Sequence, residues 1–235
     1  MLILALDTSS PAGNFAVLRD YNILARSVSS GDEPYSTSVL RDARALLSGV
    51  CISLEEIDLF AVDAGPGSFT GLRVGLTMVK GWAEVWRKPT VAVSGLEATT
   101  AQISPWPEAG SLVAAVIDAR RGQLFGGTFR ARSGAGLLEP IGEEIVATAD
   151  EFVDRLQRDF AGGQVIVACA RRELIQPAME GKGLCGRIEI VPGMLAPAIG
   201  QIAYAKALRG EVVDALHLDA NYIRRSDAEM NWKAG

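Results

Sequence analysis

The chain has 235 residues, 49% apolar and 22% charged, with a formal net charge of -5. This is a globular composition, enough for one large domain or two small ones, and it lacks the broad basic footprint of a protein that holds nucleic acid mainly by charge. No run approaches the roughly 18 apolar residues of a membrane span, MLILALDTSS reads as a buried strand rather than a signal peptide, and Cys51, Cys169 and Cys185 are scattered as in a reduced, cytoplasmic protein.

Leu2–Asp7 is a continuous apolar run, as expected of a strand buried on both faces. Gly13–Arg19 and Asn22–Val28 follow, separated by Asp20-Tyr21, the length of a hairpin turn. The period then changes. Val39, Leu40, Ala43, Leu46, Leu47 and Val50 share one helical face, with Arg41, Arg44 and Ser48 opposite. Residues 58–64 predict a strand, 70–87 a helix and 90–93 a strand, and Ser94 caps a helix running to Ile103. The segment 104–110, SPWPEAG, breaks the pattern and marks a linker.

Beyond the linker the beginning recurs. LVAAVID at 112–118 parallels Leu2–Asp7, and GQLFGGTFR at 122–130 parallels Gly13–Arg19. A third strand is expected over 137–147, a helix over 151–158, strands over 164–169 and 187–191, and a long helix over 196–209. The order β-β-β-α-β-α therefore occurs twice. This predicts an α/β protein of the actin-like (ASKHA) kind with an N-terminal lobe, 1–104, and a C-terminal lobe, 105–235, the helix 196–209 packing back on the first.

GPGSFTG at 65–71 joins a strand to a helix. Gly65 and Gly67 permit a tight turn, Ser68 and Thr70 can cap, and free N–H groups at a helix start can hold an anion. Asp7-Thr8-Ser9-Ser10 and Asp118-Ala119-Arg120-Arg121-Gly122 are the corresponding turns of the two halves. Asp7, Gly67, Ser68 and Asp118 are thus weak nucleotide-site candidates, and an actin-like small-molecule kinase or ATPase is one reading. Against it, two bulky arginines occupy the second turn, where a phosphate clamp wants Gly with Ser or Thr. The single histidine, His217, cannot assemble a paired-His metal site or an ordinary triad, and no GxSxG elbow is present. No catalytic residue, metal or cofactor is assigned.

The helix over 70–87 has a narrow polar stripe, Arg73, Thr77, Lys80, Glu84 and Arg87, between two apolar flanks. One apolar stripe suffices to cover a sheet. A second suggests a partner chain, with Val39 and Leu46 of the preceding helix and Gly71, Leu72, Val74, Gly75, Met78 and Trp82 as contact residues; Gly71 and Gly75 would admit a close neighbour. The alternative is that the helix over 36–50 covers that flank within the chain itself.

LALDTS, GPGSFTGLRVG, VIDARRG and ANYIRRSDAE together run nearly end to end, and through them the chain resembles the bacterial TsaB (YeaZ) family of the tRNA threonylcarbamoyladenosine pathway. Two positions depart from the family pattern: Tyr35-Ser36 stands where His-Ser is common, and Ala220 where a Pro is common. The resemblance implies a two-lobed protein without catalysis of its own, in the cytoplasm. It pairs through first-lobe helices with TsaD, the catalytic relative that carries metal-binding histidines, and an ATPase, TsaE, joins them. Together they move threonylcarbamoyl from its adenylate to N6 of adenosine 37. A homodimer, and contact with tRNA only through the complex, are also implied. A direct tRNA-binding module is the remaining reading; the acidic balance disfavours it, although Arg171-Arg172 and Arg224-Arg225 are local basic patches.

Overall fold

The computed structural model describes residues 1–10, 12–29, 35–133, 138–160 and 164–223; the side chains of residues 35 and 36, and Arg224-Arg225, lie outside the description. The first half runs β1 (Leu2–Asp7), β2 (Asn14–Arg19), β3 (Asn22–Val28), α1 (Tyr35–Gly49), β4 (Leu59–Asp63), α2 (Phe69–Trp86), β5 (Thr90–Val93) and α3 (Gly95–Thr100). Its five strands take the order β3-β2-β1-β4-β5. β1 is antiparallel to β2 and parallel to β4.

The second half runs β6 (Leu112–Arg120), β7 (Gln123–Ala131), β8 (Leu138–Pro140), β9 (Ile145–Ala147), α4 (Ala149–Asp159), β10 (Val165–Cys169), α5 (Gln176–Gly181), β11 (Gly186–Ile190) and α6 (Ala196–Leu208). Its order is β11-β10-β6-β7-β8, with β9 also on β7. With β6 in the place of β1 and β10 in that of β4, this is the first sheet's arrangement repeated. The strand expected over 137–147 is divided in two, broken at Gly142, whose φ is +68°; its first residue, 137, lies outside the description. The short helix α5, introduced by Pro177, was not expected from periodicity.

Period-two alternation sorts β1 between two cores. Leu4 and Leu6 point with Phe60 and Val62 toward Val39, Ala43 and Leu47 of α1 and Leu76 and Val79 of α2. Ile3 and Ala5 point with Leu59 and Ala61 toward Ala196, Ile199 and Ala203 of α6. Helices cover both faces, which is why the strand is apolar without a polar alternate. The N-terminus of α6 is tied to this sheet: Ala196 N donates to Asn14 Oδ1 of β2 at 2.7 Å. In exchange, α3 reaches the other core, where Leu96 packs with Val113, Ala115, Phe125 and Phe129.

Candidate functional site

The parallel register of β1 and β4, Leu6 beside Val62, sets Asp7 next to Asp63 at the carboxyl ends of the strands. Both are buried. Asp7 accepts from Ser9 N at 2.7 Å, Ser10 Oγ at 2.7 Å and Asn14 Nδ2 at 2.9 Å. Asp63 accepts from Gly65 N at 2.8 Å and from the Ser9 hydroxyl. Burial, and then the neighbouring Asp7 charge, push the Asp63 carboxyl well above the ordinary range. Asp63 and Asn14 were missed in the sequence; the available signal was an Asp ending the strand before GPG, as Asp7 ends the first.

The turn 65–71 lies directly on residues 7–9. Ser68 caps α2 by accepting from Gly71 N at 3.3 Å, and its own N–H donates to Ser9 O at 3.0 Å. Thr8 Oγ1 donates to Gly71 O at 2.7 Å. Of the two turn glycines, Gly65 takes a positive φ, +108°, and Gly67 does not. Gly67 is required by contact instead, since a Cβ there would stand 2.5 Å from Ser9 Cβ.

The second half repeats the device in a more open form. Asp118 Oδ1 accepts from Arg120 N at 2.8 Å, the same i to i+2 bond that Asp7 makes with Ser9. Asp118 Oδ2 takes Arg171 Nη2 at 2.6 Å. A cleft of about 1370 Å³ separates the two turns. Gly67, Ser68 and Asp118 line it, while Asp7 is buried beneath. The named turn donors, Ser9 N and Ser68 N on one side and Arg120 N on the other, are already bonded to the protein's own oxygens. These three donors of the turns that Asp7, Gly67, Ser68 and Asp118 mark are therefore engaged from within, and nothing here favours the kinase alternative. Among the described residues no three His, Cys, Asp or Glu groups converge as for a metal; His217 pairs with Asp214 at 2.7 Å on the surface.

The helix face proposed for a partner needs correction. Val39, Leu46, Gly71, Leu72, Gly75 and Trp82 are buried within this chain. Gly71 and Gly75 make room for the protein's own β1–β2 turn: a Cβ on Gly71 would lie 1.9 Å from Thr8 O, and one on Gly75 2.4 Å from Thr8 Oγ1. Trp82 packs on Phe60, ring centres 5.7 Å apart, inside the core that α1 closes. Half-buried Val74 and Met78 continue at helical spacing into exposed Gly81 and Val85, the last 71% exposed.

A further polar junction links the two halves of the chain. Glu144, between β8 and β9, accepts from the Ser94 hydroxyl that caps α3 and from Asn221 Nδ2. Burial pushes its carboxyl up. No helix among the described residues is long and apolar enough to cross a membrane.

Residues 23–185 match the family model described as TsaD: tRNA N6-adenosine threonylcarbamoyltransferase. Two full-length relatives are named tRNA threonylcarbamoyladenosine biosynthesis protein TsaB. That of Bacillus subtilis is 27% identical over 99% of this chain and 98% of its own. That of Escherichia coli is 30% identical over 99% and 97%. Among solved structures, a Pseudomonas aeruginosa protein described as similar to peptidase YeaZ superposes with a TM-score of 0.75 at 25% identity, covering 95% of this chain and 99% of that one. The duplicated sheets and the length matched both ways agree: the chain has the actin-like two-lobed fold and belongs to the TsaB (YeaZ) family of tRNA threonylcarbamoyladenosine biosynthesis proteins, within the wider TsaD family.

Proposed function

We propose that this protein is a non-catalytic activator subunit of the cytoplasmic complex that transfers threonylcarbamoyl from threonylcarbamoyl-AMP to N6 of adenosine 37 of tRNA. The observation that carries this is the internal filling of both cleft turns. Asp7 and Asp118 take up backbone N–H groups of the kind that, left free in such turns, form an anion-binding nest. A protein of this family built so serves by holding another subunit. Its principal partner is a TsaD-like chain, with a TsaE-like ATPase joining the pair and a homodimer as the partner-free form. Residues 1–104 and 105–235 act as the two lobes, α6 serving the first.

The partner face we assign is the outer stripe of α2: Val74, Met78, Gly81 and Val85, at i, i+4, i+7 and i+11. Gly81 has open space where its Cβ would be, so a facing helix can approach there. The reading is tested by reconstitution: a TsaD-like subunit, threonylcarbamoyl-AMP and tRNA, with and without this chain. Product should require both proteins, and the isolated chain should give none. Turnover by the chain alone, abolished by Asp7→Ala, would replace the activator role with a catalytic one.

A further inference from the structure

We infer that the mouth of the interlobe cleft is a contact surface for the phosphodiester backbone of an RNA strand. The inference rests on the activator reading above and supplies what that reading leaves out, a direct RNA contact by this chain.

Four guanidinium side chains line the cleft: Arg73 from α2, Arg120 and Arg121 from the β6–β7 turn, and Arg171 from the loop after β10. Asp118 is the single carboxylate among the described lining residues, so the cleft is cationic in a chain whose net charge is -5. Asp118 orients two of the four, Arg171 at 2.6 Å and Arg120 at 3.9 Å. Their side chains stay 60% and 73% exposed, and a guanidinium has five donors, so most of each fork faces outward. Lysine is absent from the described lining, and the planar arginine fork is the group suited to phosphate oxygens.

The turn that carries two of them is built against local preference. Arg120 pairs with Gln123, leaving Arg121-Gly122 as a two-residue hairpin loop. Arg120, Arg121 and Gly122 have φ of +63°, +56° and +73°, where Gly and Asn are at ease and Arg is not. Asn-Gly would make the same loop without charge. Strained backbone at a cleft mouth, displaying two cations, is a pattern of functional sites. Aromatic surface stands alongside: Phe69 and Tyr222 have ring centres 5.2 Å apart, and Arg73 lies 3.9 Å over the Phe69 ring. Guanidinium planes and aromatic rings beside a cationic track are what unpaired bases stack on. A nucleotide phosphate buried in the turns is disfavoured because the named backbone donors are engaged, whereas the Arg120 and Arg171 side chains at the mouth stay largely exposed.

The test uses the full chain bound to its TsaD-like partner and a fluorescent, unmodified tRNA transcript, with anisotropy titrated across KCl concentrations. Each phosphate contact contributes roughly 0.7–0.9 to the slope of log affinity against log salt. Arg120→Gly with Arg121→Asn should lower affinity about tenfold at moderate salt and flatten the slope by about two contacts. The same double variant should melt higher, because its residues suit the backbone, so loss of binding cannot be loss of fold. Arg120→Lys with Arg121→Lys should retain most of the slope. Unchanged affinity and slope in a double variant that still binds the partner would overturn the inference and leave the activator reading standing. Failure of the unaltered chain to bind or activate the partner would sink that reading instead. Poly-glutamate or ATP showing the same arginine dependence, with tRNA showing none, would likewise overturn the RNA assignment.

Discussion

Gly75→Ala and Gly81→Ala, six residues apart on the same helix, should move stability in opposite directions. Both gain about 1 kcal/mol from the better helix propensity of Ala. At Gly81 nothing lies within 4 Å of the new Cβ, so that gain is realised and the melting temperature rises by roughly 2–4 °C. At Gly75 the Cβ would stand 2.4 Å from Thr8 Oγ1, 3.3 Å from Leu6 Cδ1 and 3.4 Å from Val62 Cγ2. Thr8 cannot swing aside freely, because its hydroxyl donates to Gly71 O in the interior. Losing that bond costs about 1–3 kcal/mol, and overpacking a filled core a further 1–3 or so. Subtracting the propensity gain leaves a net loss of about 1–5 kcal/mol for Ala, with Gly75→Leu at or beyond the upper end. Urea denaturation of the two Ala variants beside the parent reads both signs. If Gly75→Ala stabilises as Gly81→Ala does, α2 does not rest on the β1–β2 turn, and Gly71 and Gly75 return to the partner face.

Three further outcomes are expected. Because burial and the Asp7 charge raise the folded Asp63 carboxyl above its unfolded value, its contribution is full below about pH 4, where the unfolded residue is also protonated, and is lost as pH rises through the raised folded value. Asp63→Asn should flatten the decline of melting temperature with pH above about 4, and an unchanged pH profile would contradict the upward shift of Asp63. Asn14→Ala removes both the bond to Asp7 and the acceptor for Ala196 N, and should cost about 2–3 kcal/mol in chemical denaturation; a loss no larger than that of a surface substitution would contradict this tie to α6. Val85→Asp, on the exposed stripe of α2, should change stability by less than about 0.5 kcal/mol while weakening association with the TsaD-like partner more than tenfold by calorimetry; undiminished affinity would move the interface elsewhere.

The sheets were legible because their strands are extreme. A run such as LILALD has no polar alternate, and its recurrence as LVAAVID followed by a Gly-led strand exposed the duplication. Helix starts followed from caps at Ser68 and Ser94, but the helix expected to run to Ile103 ends at Thr100. What could not be read was which neighbour each apolar stripe meets. Gly71 and Gly75 in a helix signal close approach but not by what, and the answer was a turn 63 residues earlier in the chain. Periodicity likewise cannot show that Asp63 would lie beside Asp7, since that depends on which strands are adjacent in the sheet. The self-closing Asp turns are visible as Asp-x-Ser and Asp-x-Arg only once the direction of each carboxylate is known.

The placement of α6 has a consequence for synthesis on the ribosome. The last strand of the first sheet ends at Val93, and the helix covering that sheet's second face begins at Ala196. At about 5–20 residues per second, roughly 5–20 s separate the two. During that interval Ile3, Ala5, Ala16, Leu18, Leu59 and Ala61 form a nascent surface without its native cover. Emergence of α6, rather than completion of the first hundred residues, is then the event that finishes the lobe. Slowed elongation between the two points should raise the demand for chaperones that hold apolar nascent surfaces.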